Sequence, residues 1–274
     1  MCDTCGCNVT SGNQHLLQDG GHLAKTASGA ESVAVLKGLL DANDHEAAHN
    51  RQHFDRHSVL AINLMSSPGA GKTSLLEATI DRLGSELNIG VVEGDLETEN
   101  DAERIRAKGI PAIQISTGSA CHLDAHMVHD ALHSLDLDAL DIVFIENVGN
   151  LVCPASFDLG QHLNVTLLSS PEGDDKPAKY PVMFRAADLM LLSKSDLLEV
   201  LGDFDPDKAL QHLRDLASPA HAITLSARTG IGMDAWCSWL RQQLVDCRLR
   251  IASGEKIRPA IQPDGASLHS LHSP

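Results

Sequence analysis

Three cysteines stand within the first seven residues, as Cys2, Cys5 and Cys7 in the run Cys-Asp-Thr-Cys-Gly-Cys. Thiolates at this spacing can converge on one soft or borderline metal ion, with Gly6 permitting the tight turn between the second and third ligand. Loss of the initiator Met in front of a small residue leaves the α-amino group of Cys2 as a fourth donor. Three thiolates and an amine suit square-planar Ni²⁺, and tetrahedral Zn²⁺ competes for the same set. A second chemistry lies at residues 66–73, Ser-Ser-Pro-Gly-Ala-Gly-Lys-Thr. Gly69, Ala70 and Gly71 let successive backbone N–H groups curl around phosphates, and the helix start that follows adds a positive dipole end. Lys72 then reaches the β- and γ-phosphates, the Thr73 hydroxyl coordinates Mg²⁺, and Ser74 completes the phosphate-binding run. The pattern G-x-x-x-x-G-K-S/T has Gly at the position of Ser66, where a small residue still makes the turn.

Carboxylates recur at the places such a loop needs them. Asp95 follows Val91-Val92-Glu93 and is expected to hold Mg²⁺ directly or through water, while Glu146 of Glu-Asn-Val-Gly-Asn orients Mg²⁺ or the attacking water. Gly149 of that run is placed to donate its N–H to a γ-phosphate, which makes Lys72, Asp95 and Glu146 the expected catalytic set. In Leu191-Leu192-Ser193-Lys194-Ser195-Asp196, Asp196 can accept two hydrogen bonds from guanine while the Lys194 stem packs on the base. Ser193 occupies the position where GTPases carry Asn or Thr, and loss of the amide is expected to weaken affinity or loosen coupling to the phosphate loop. Ser226 and Ala227 match the Ser-Ala motif whose backbone meets the guanine carbonyl, so GTP is favoured over ATP. Cys121, His122 and Cys153 follow two further strands and form a plausible Cys/His metal site coupled to hydrolysis. Taken singly, each of the three reads first as a buried or surface residue that never meets the others, since free Cys is often simply a small core residue.

The elements that must position these residues are legible as apolar runs alternating with helical patterns. Strands are expected near 59–65, 89–93, 111–116, 141–146, 163–169, 188–193 and 221–226, which makes an α/β fold with a mostly parallel sheet of about seven strands. In such a sheet the loops at the carboxyl ends of strands build the site. The helix after the phosphate loop carries Leu75, Leu76, Ile80 and Leu83 on one face. An earlier helix begins at Glu31 with Val33, Leu36, Leu39 and Leu40 and runs to about His57. His45, His49, His53 and His57 recur along it at every fourth residue; pairs at that spacing can bind a metal, but with charged neighbours the pattern reads first as a solvated polar face.

The chain has 274 residues, 43% of them hydrophobic, enough for one globular unit with tails. The expected division is a Cys motif and flexible tether over 1–30, a phosphate-loop domain over 31–250 and a disordered tail over 251–274. A formal charge of −16 argues against a nucleic-acid partner. The apolar stretches are strand-sized, and the N-terminus lacks a basic region followed by an apolar one, so no membrane span is expected and the compartment reads as cytoplasmic. A reducing cytosol in turn directs the seven cysteines toward metal ligation rather than disulfides.

With the N-terminal Cys-x-x-Cys-Gly-Cys, the phosphate loop and the Cys121-His122/Cys153 set together, the chain resembles the HypB family, the nickel-inserting GTPases of nickel–iron hydrogenase maturation. The resemblance spans the Cys motif and nearly all of 31–245. It implies a P-loop fold of the SIMIBI type, slow regulatory GTP hydrolysis, a high-affinity nickel site at Cys2, Cys5 and Cys7, and a second site at Cys121, His122 and Cys153 for nickel or zinc. It further implies a homodimer formed on GTP or metal binding, a zinc-binding partner chaperone of the HypA type, and delivery of Ni²⁺ to the hydrogenase large-subunit precursor. The dispersed histidines from 15 to 57 do not imply bulk nickel storage. A urease-type or cobalt-inserting relative would not need the N-terminal cysteines, and a nucleotide-free metal buffer finds support only in Ser66 and Ser193.

Overall fold

All seven apolar runs form strands: β1 (Leu60–Ser66), β2 (Ile89–Asp95), β3 (Ala112–Ser116), β4 (Ile142–Glu146), β5 (Leu163–Ser169), β6 (Leu189–Ser193) and β7 (His221–Thr224). They lie in one sheet in the order β3-β2-β4-β1-β5-β6-β7, and every neighbouring pair is parallel. The computed structural model describes residues 30–95, 100–118, 120–216, 218 and 220–257, with side chains from Leu40 onward. The Cys2, Cys5 and Cys7 motif, the tether through residue 29 and residues 258–274 lie outside the described residues.

A parallel sheet carries its crossover helices on both faces, so its central strands read as continuous apolar runs. The helices are α1 (Ala30–His57), α2 (Lys72–Leu83), α3 (Asn100–Arg106), α4 (Ala125–Leu132), α5 (Lys176–Lys179), α6 (Pro181–Arg185), α7 (Leu198–Leu201), α8 (Pro206–Asp215) and α9 (Met233–Ser253). α9 thus runs past the boundary expected at residue 250. Alternate residues of β1 and β4 serve opposite cores: Leu60, Ile62, Leu64, Ile142 and Phe144 join α2 and α9 residues, while Ala61, Val143 and Ile145 join Phe54 of α1 and Val128 of α4. On the first face Trp236 is fully buried and its Nε1–H donates to Thr79 Oγ1 at 2.9 Å.

On the second face polar contacts lock α1 in place. The Arg51 guanidinium donates to both carboxylate oxygens of Asp158 at 2.7 and 2.8 Å, and both side chains are buried. Asn43 donates to the Asp158 carbonyl at 2.8 Å and accepts from the Ala125 N–H at 2.9 Å, so α1 also holds the start of α4. Because β1 sits between β4 and β5 while the chain leaves it for β2, loops diverge at its carboxyl end and open a crevice there. Among the described residues no helix is long and apolar enough to cross a membrane.

Candidate functional site

Between the end of β1 at Ser66 and the start of α2 at Lys72, Gly69 and Gly71 adopt φ of +74° and +101°. Only glycine takes that conformation without steric cost, which is why the loop can wrap with its N–H groups inward. The Lys72 ammonium donates to Ser66 Oγ at 3.1 Å, and Ser66 in turn donates to the Ser67 carbonyl at 2.6 Å. The residue that breaks the motif therefore gives the lysine its resting partner. Lys72, Thr73, Ser74 and Gly69 line an open cleft of about 490 Å³ together with Glu93, Asp95, Asp101, Arg104, Lys194 and residues 146–149.

Glu93 and Asp101 were not expected in this cleft. Parallel pairing of β2 with β4 sets Glu93 directly beside Glu146, and α3 brings Asp101 in, so that one oxygen from each of the three lies within 4.8 Å of the others. Glu93 and Glu146 are buried. Burial, reinforced by the Glu146 and Asp101 charges, pushes Glu93 up to about 8. Burial likewise raises Glu146 to about 7, against the lowering effect of the Lys72 ammonium and of the Thr73 hydroxyl, which donates to Glu146 Oε1 at 2.9 Å. Oε2 of both glutamates is buried without a hydrogen-bond partner. Asp95 faces the same cleft, and its carbonyl accepts from the Thr117 N–H at 2.9 Å. Converging oxygens with unspent acceptors are a donor set that a hard divalent cation such as Mg²⁺ satisfies.

At the far side of the loop Ser193 and Lys194 both contact the phosphate loop. The Ser193 hydroxyl donates to the Ala70 carbonyl at 2.8 Å, and the Lys194 ammonium donates to the Gly69 carbonyl at 2.7 Å, so two contacts tie this segment to the phosphate loop without a side-chain amide. Asp196 Oδ1 accepts from the Ser226 hydroxyl at 2.6 Å, while Ser226 Oγ accepts from the Thr229 N–H at 3.2 Å. The Lys194–Asp196 and Ser226–Ala227 segments are thereby held as one unit.

Cys121, His122 and Cys153 do meet. Each offers a donor within 4.8 Å of the other two, and the Cys121 and Cys153 sulfurs are 3.2 Å apart, well beyond a disulfide bond length of about 2.05 Å. The His122 ring is buried, stacks on Phe157 at 4.1 Å and has no partner at Nε2. Burial drives it down to about 4 against the pull of Asp124, which keeps the imidazole neutral and able to bind a metal. Two thiols and a neutral imidazole suit a soft or borderline ion such as Ni²⁺ or Zn²⁺.

Residues 146–150 touch both places. The Asn147 and Asn150 N–H groups donate to the carbonyls of Leu64 and Ser66 at 3.0 and 2.8 Å. Gly149 lies flat on the phosphate loop, where a Cβ would come within 2.8 Å of Pro68 Cα. In the other direction Asn147 Oδ1 accepts from the Leu123 N–H at 3.2 Å, and Asn150 Nδ2 donates to the Cys121 carbonyl at 3.2 Å. Sequence reasoning placed this run at the phosphates but had no signal for its two asparagines. Of the four spaced histidines on α1, which is unbroken, His57 turns to Asp138 at 2.6 Å, His45 is exposed, and His49 and His53 face His129 of α4.

The model of the CobW/HypB/UreG nucleotide-binding domain matches residues 60–223. The hydrogenase maturation factor HypB of Azotobacter vinelandii is 51% identical over 216 residues, covering 79% of this chain and 71% of that protein. Its counterpart from Escherichia coli K12 is 53% identical over 205 residues, covering 75% and 70%. Among solved structures, HypB from Helicobacter pylori in complex with nickel superposes with a TM-score of 0.72 at 40% identity, covering 74% of this chain and 95% of that one. HypB from Archaeoglobus fulgidus gives 0.70 at 41% identity, covering 75% and 100%. With half the residues shared across most of both chains and the same sheet beneath the same phosphate loop, the chain belongs to the HypB family of hydrogenase maturation factors.

Proposed function

We propose that the protein is a GTP-hydrolysing nickel chaperone in which the state of the phosphate cleft sets the metal affinity of Cys121, His122 and Cys153. The observation that carries this reading is the strap at residues 146–150, whose backbone is bonded to the phosphate loop and whose Asn150 side chain is bonded to Cys121. In this reading Gly69 to Ser74 wrap the phosphates, Lys72 leaves Ser66 to pair with them, and Asp196, fixed by Ser226, selects guanine. Thr73 and Glu146 would hold Mg²⁺, with Glu93, Asp95 and Asp101 next to it, and the ion would neutralise phosphate charge. Glu146 gives up its proton on loading and orients the attacking water, and Gly149 follows the γ-phosphate. Loss of that phosphate frees Gly149 from it, and the movement passes through Asn150 to the cysteines. The useful output is a change of metal affinity, so slow turnover suffices.

Nickel as cargo is supported by the nickel complex of the Helicobacter pylori relative and by the N/S donor set, which also accepts Zn²⁺. Val152, 52% exposed beside Cys153, supplies an apolar contact for a homodimer formed on GTP or metal binding. Residues 1–29 act as a nickel-binding arm through Cys2, Cys5 and Cys7, and the elements from α1 to the end of α9 at Ser253 as the GTPase domain, with a tail after it. The HypA-type chaperone and the hydrogenase large-subunit precursor are the partners of this scheme in the cytoplasm. Nickel titration of the metal-free protein with and without a non-hydrolysable GTP analogue tests it, comparing the parent with a Cys2/Cys5/Cys7 triple Ala variant. Tight binding is lost in the triple variant, and a weaker site remains whose affinity depends on nucleotide. A weaker site indifferent to nucleotide overturns the coupling.

A further inference from the structure

α1 and α4 pack side by side with histidines at the seam: His49 and His53 from α1, His129 from α4 and His133 at the cap that ends α4. The rings of His49, His53 and His129 form a closed triangle with centroids 4.7, 5.0 and 5.8 Å apart. One nitrogen of each lies within 4.8 Å of the other two. Nothing in the nucleotide mechanism uses them.

The protonation of His129 can be worked out from its buried neighbour. Asn50 is fully buried and its Nδ2 donates to the carbonyls of Ala125 and Leu159 at 2.7 and 3.1 Å, which fixes its amide with Oδ1 turned to His129 Nδ1 at 3.0 Å. Glu46 Oε1 stands 3.2 Å from the same nitrogen. The Asn50 oxygen, fixed as an acceptor, requires the proton on Nδ1, with the Glu46 carboxylate close by, so Nε2 carries the lone pair. The same Glu46 oxygen is 3.5 Å from Nδ1 of His49. A carboxylate on one ring nitrogen with the other left open is the support that metal-binding histidines characteristically receive.

We propose that His49, His53 and His129, oriented by Glu46 and Asn50, form a three-imidazole site for a divalent first-row transition ion at the α1–α4 seam. An ion bound at about 2.0–2.1 Å to each nitrogen places tetrahedral donors roughly 3.3 Å apart. Rotation of the exposed His49 and half-buried His53 side chains brings their donor nitrogens to that spacing around His129 Nε2. Nitrogen donors without thiolate suit Ni²⁺, Zn²⁺ or Cu²⁺, and the exposed seam leaves the remaining coordination positions to water. The site needs neither nucleotide nor cysteine, so it stands apart from the GTP-coupled reading.

The test uses the full chain with Cys2, Cys5, Cys7, Cys121 and Cys153 changed to Ser, titrated with nickel chloride. One equivalent remains bound, and X-ray absorption shows only nitrogen and oxygen around it. H53A and H129A each weaken it at least tenfold, and E46Q weakens it about 10- to 100-fold, the usual effect of removing a carboxylate behind a metal-bound histidine. Residual binding that survives H53A unchanged, or no residual binding at all, overturns the site. Should a variant not fold, Zn²⁺ added to the unsubstituted protein decides: ¹⁵N resonances of the His49, His53 and His129 side chains shift together while His212 stays, and unmoved resonances refute the proposal.

Discussion

Asn150 is the place to break the proposed link between nucleotide and metal. Its N–H donates to the Ser66 carbonyl at 2.8 Å, its Nδ2 donates to the Cys121 carbonyl at 3.2 Å, and its Oδ1 accepts from the Val152 N–H at 2.8 Å. Asn150→Ala keeps the first bond and removes the other two. A neutral hydrogen bond is worth a net ~0.5–1.5 kcal/mol, so the fold loses about 1–3 kcal/mol. Of the two bonds removed, the one to Cys121 reaches the metal cluster directly. The coupling free energy should therefore fall by about 1 kcal/mol, roughly a fivefold loss in the ratio of nickel affinities with and without nucleotide.

Linkage makes this measurable from both ends, because nickel must alter nucleotide affinity by the same factor that nucleotide alters nickel affinity. Calorimetry on protein with Cys2, Cys5 and Cys7 changed to Ser, which removes the tail site, gives four dissociation constants that close a cycle. In N150A both ratios should shrink together about fivefold, with residual coupling carried by the Asn147 contact to Leu123. If N150A returns the parental ratios, or weakens nickel equally with and without nucleotide, the strap does not carry the coupling.

Two further predictions concern the frame. Arg51→Ala leaves the buried Asp158 carboxylate without its bidentate partner and should cost about 3–5 kcal/mol in urea unfolding, whereas R51M/D158L recovers much of the loss because the desolvated charge is removed with its partner. Burial raises Asp188 to about 6 from 3.8, even though its carboxylate accepts from the Asn164 N–H at 2.7 Å. The folded state thus holds this proton longer than the unfolded one, and stability present below pH 3.8 is lost as pH rises through 6. The gap of about two pH units is worth about 3 kcal/mol, which partial solvent contact of this half-buried side chain reduces to about 1–2. D188N should exceed the parent in stability by that amount at pH 7.5 and match it at pH 3.5, and a constant difference across pH would refute the assignment.

The strands were legible because the sheet is parallel and covered on both faces, so burial alone writes each as an apolar run between turns. The phosphate loop, the Lys194–Asp196 segment and the Cys121-His122 pair were legible because their chemistry depends on neighbours in sequence. Glu93 was not, although its signal was present: a carboxylate inside an otherwise apolar strand. Its meaning depends on β2 pairing with β4, which no local pattern contains, and the pairing places it against Glu146. The contact made by Ser193 was not legible for the same reason. Its partner, the Ala70 carbonyl, lies more than a hundred residues away in sequence, and a hydroxyl reaches it without the amide that the motif leads one to expect.

The division follows the physics of the two tasks. Holding a phosphate or a metal requires several donors around one point, and short loops supply them most directly from adjacent residues, which leaves a motif. Transmitting a change from one point to another requires groups that touch both, and these are chosen by where the chain passes. Asn147 and Asn150 are short amides with a donor and an acceptor each, placed where β4 leaves the sheet between the phosphate loop and Cys121. A shorter side chain there would not reach the Cys121 carbonyl, and a charged one would meet a backbone carbonyl and a backbone N–H, of which it could satisfy only one. The amide fits both, so the residues of the proposed coupling are constrained by chemistry as tightly as the ligands, but their constraint is written in the fold and not in the spacing.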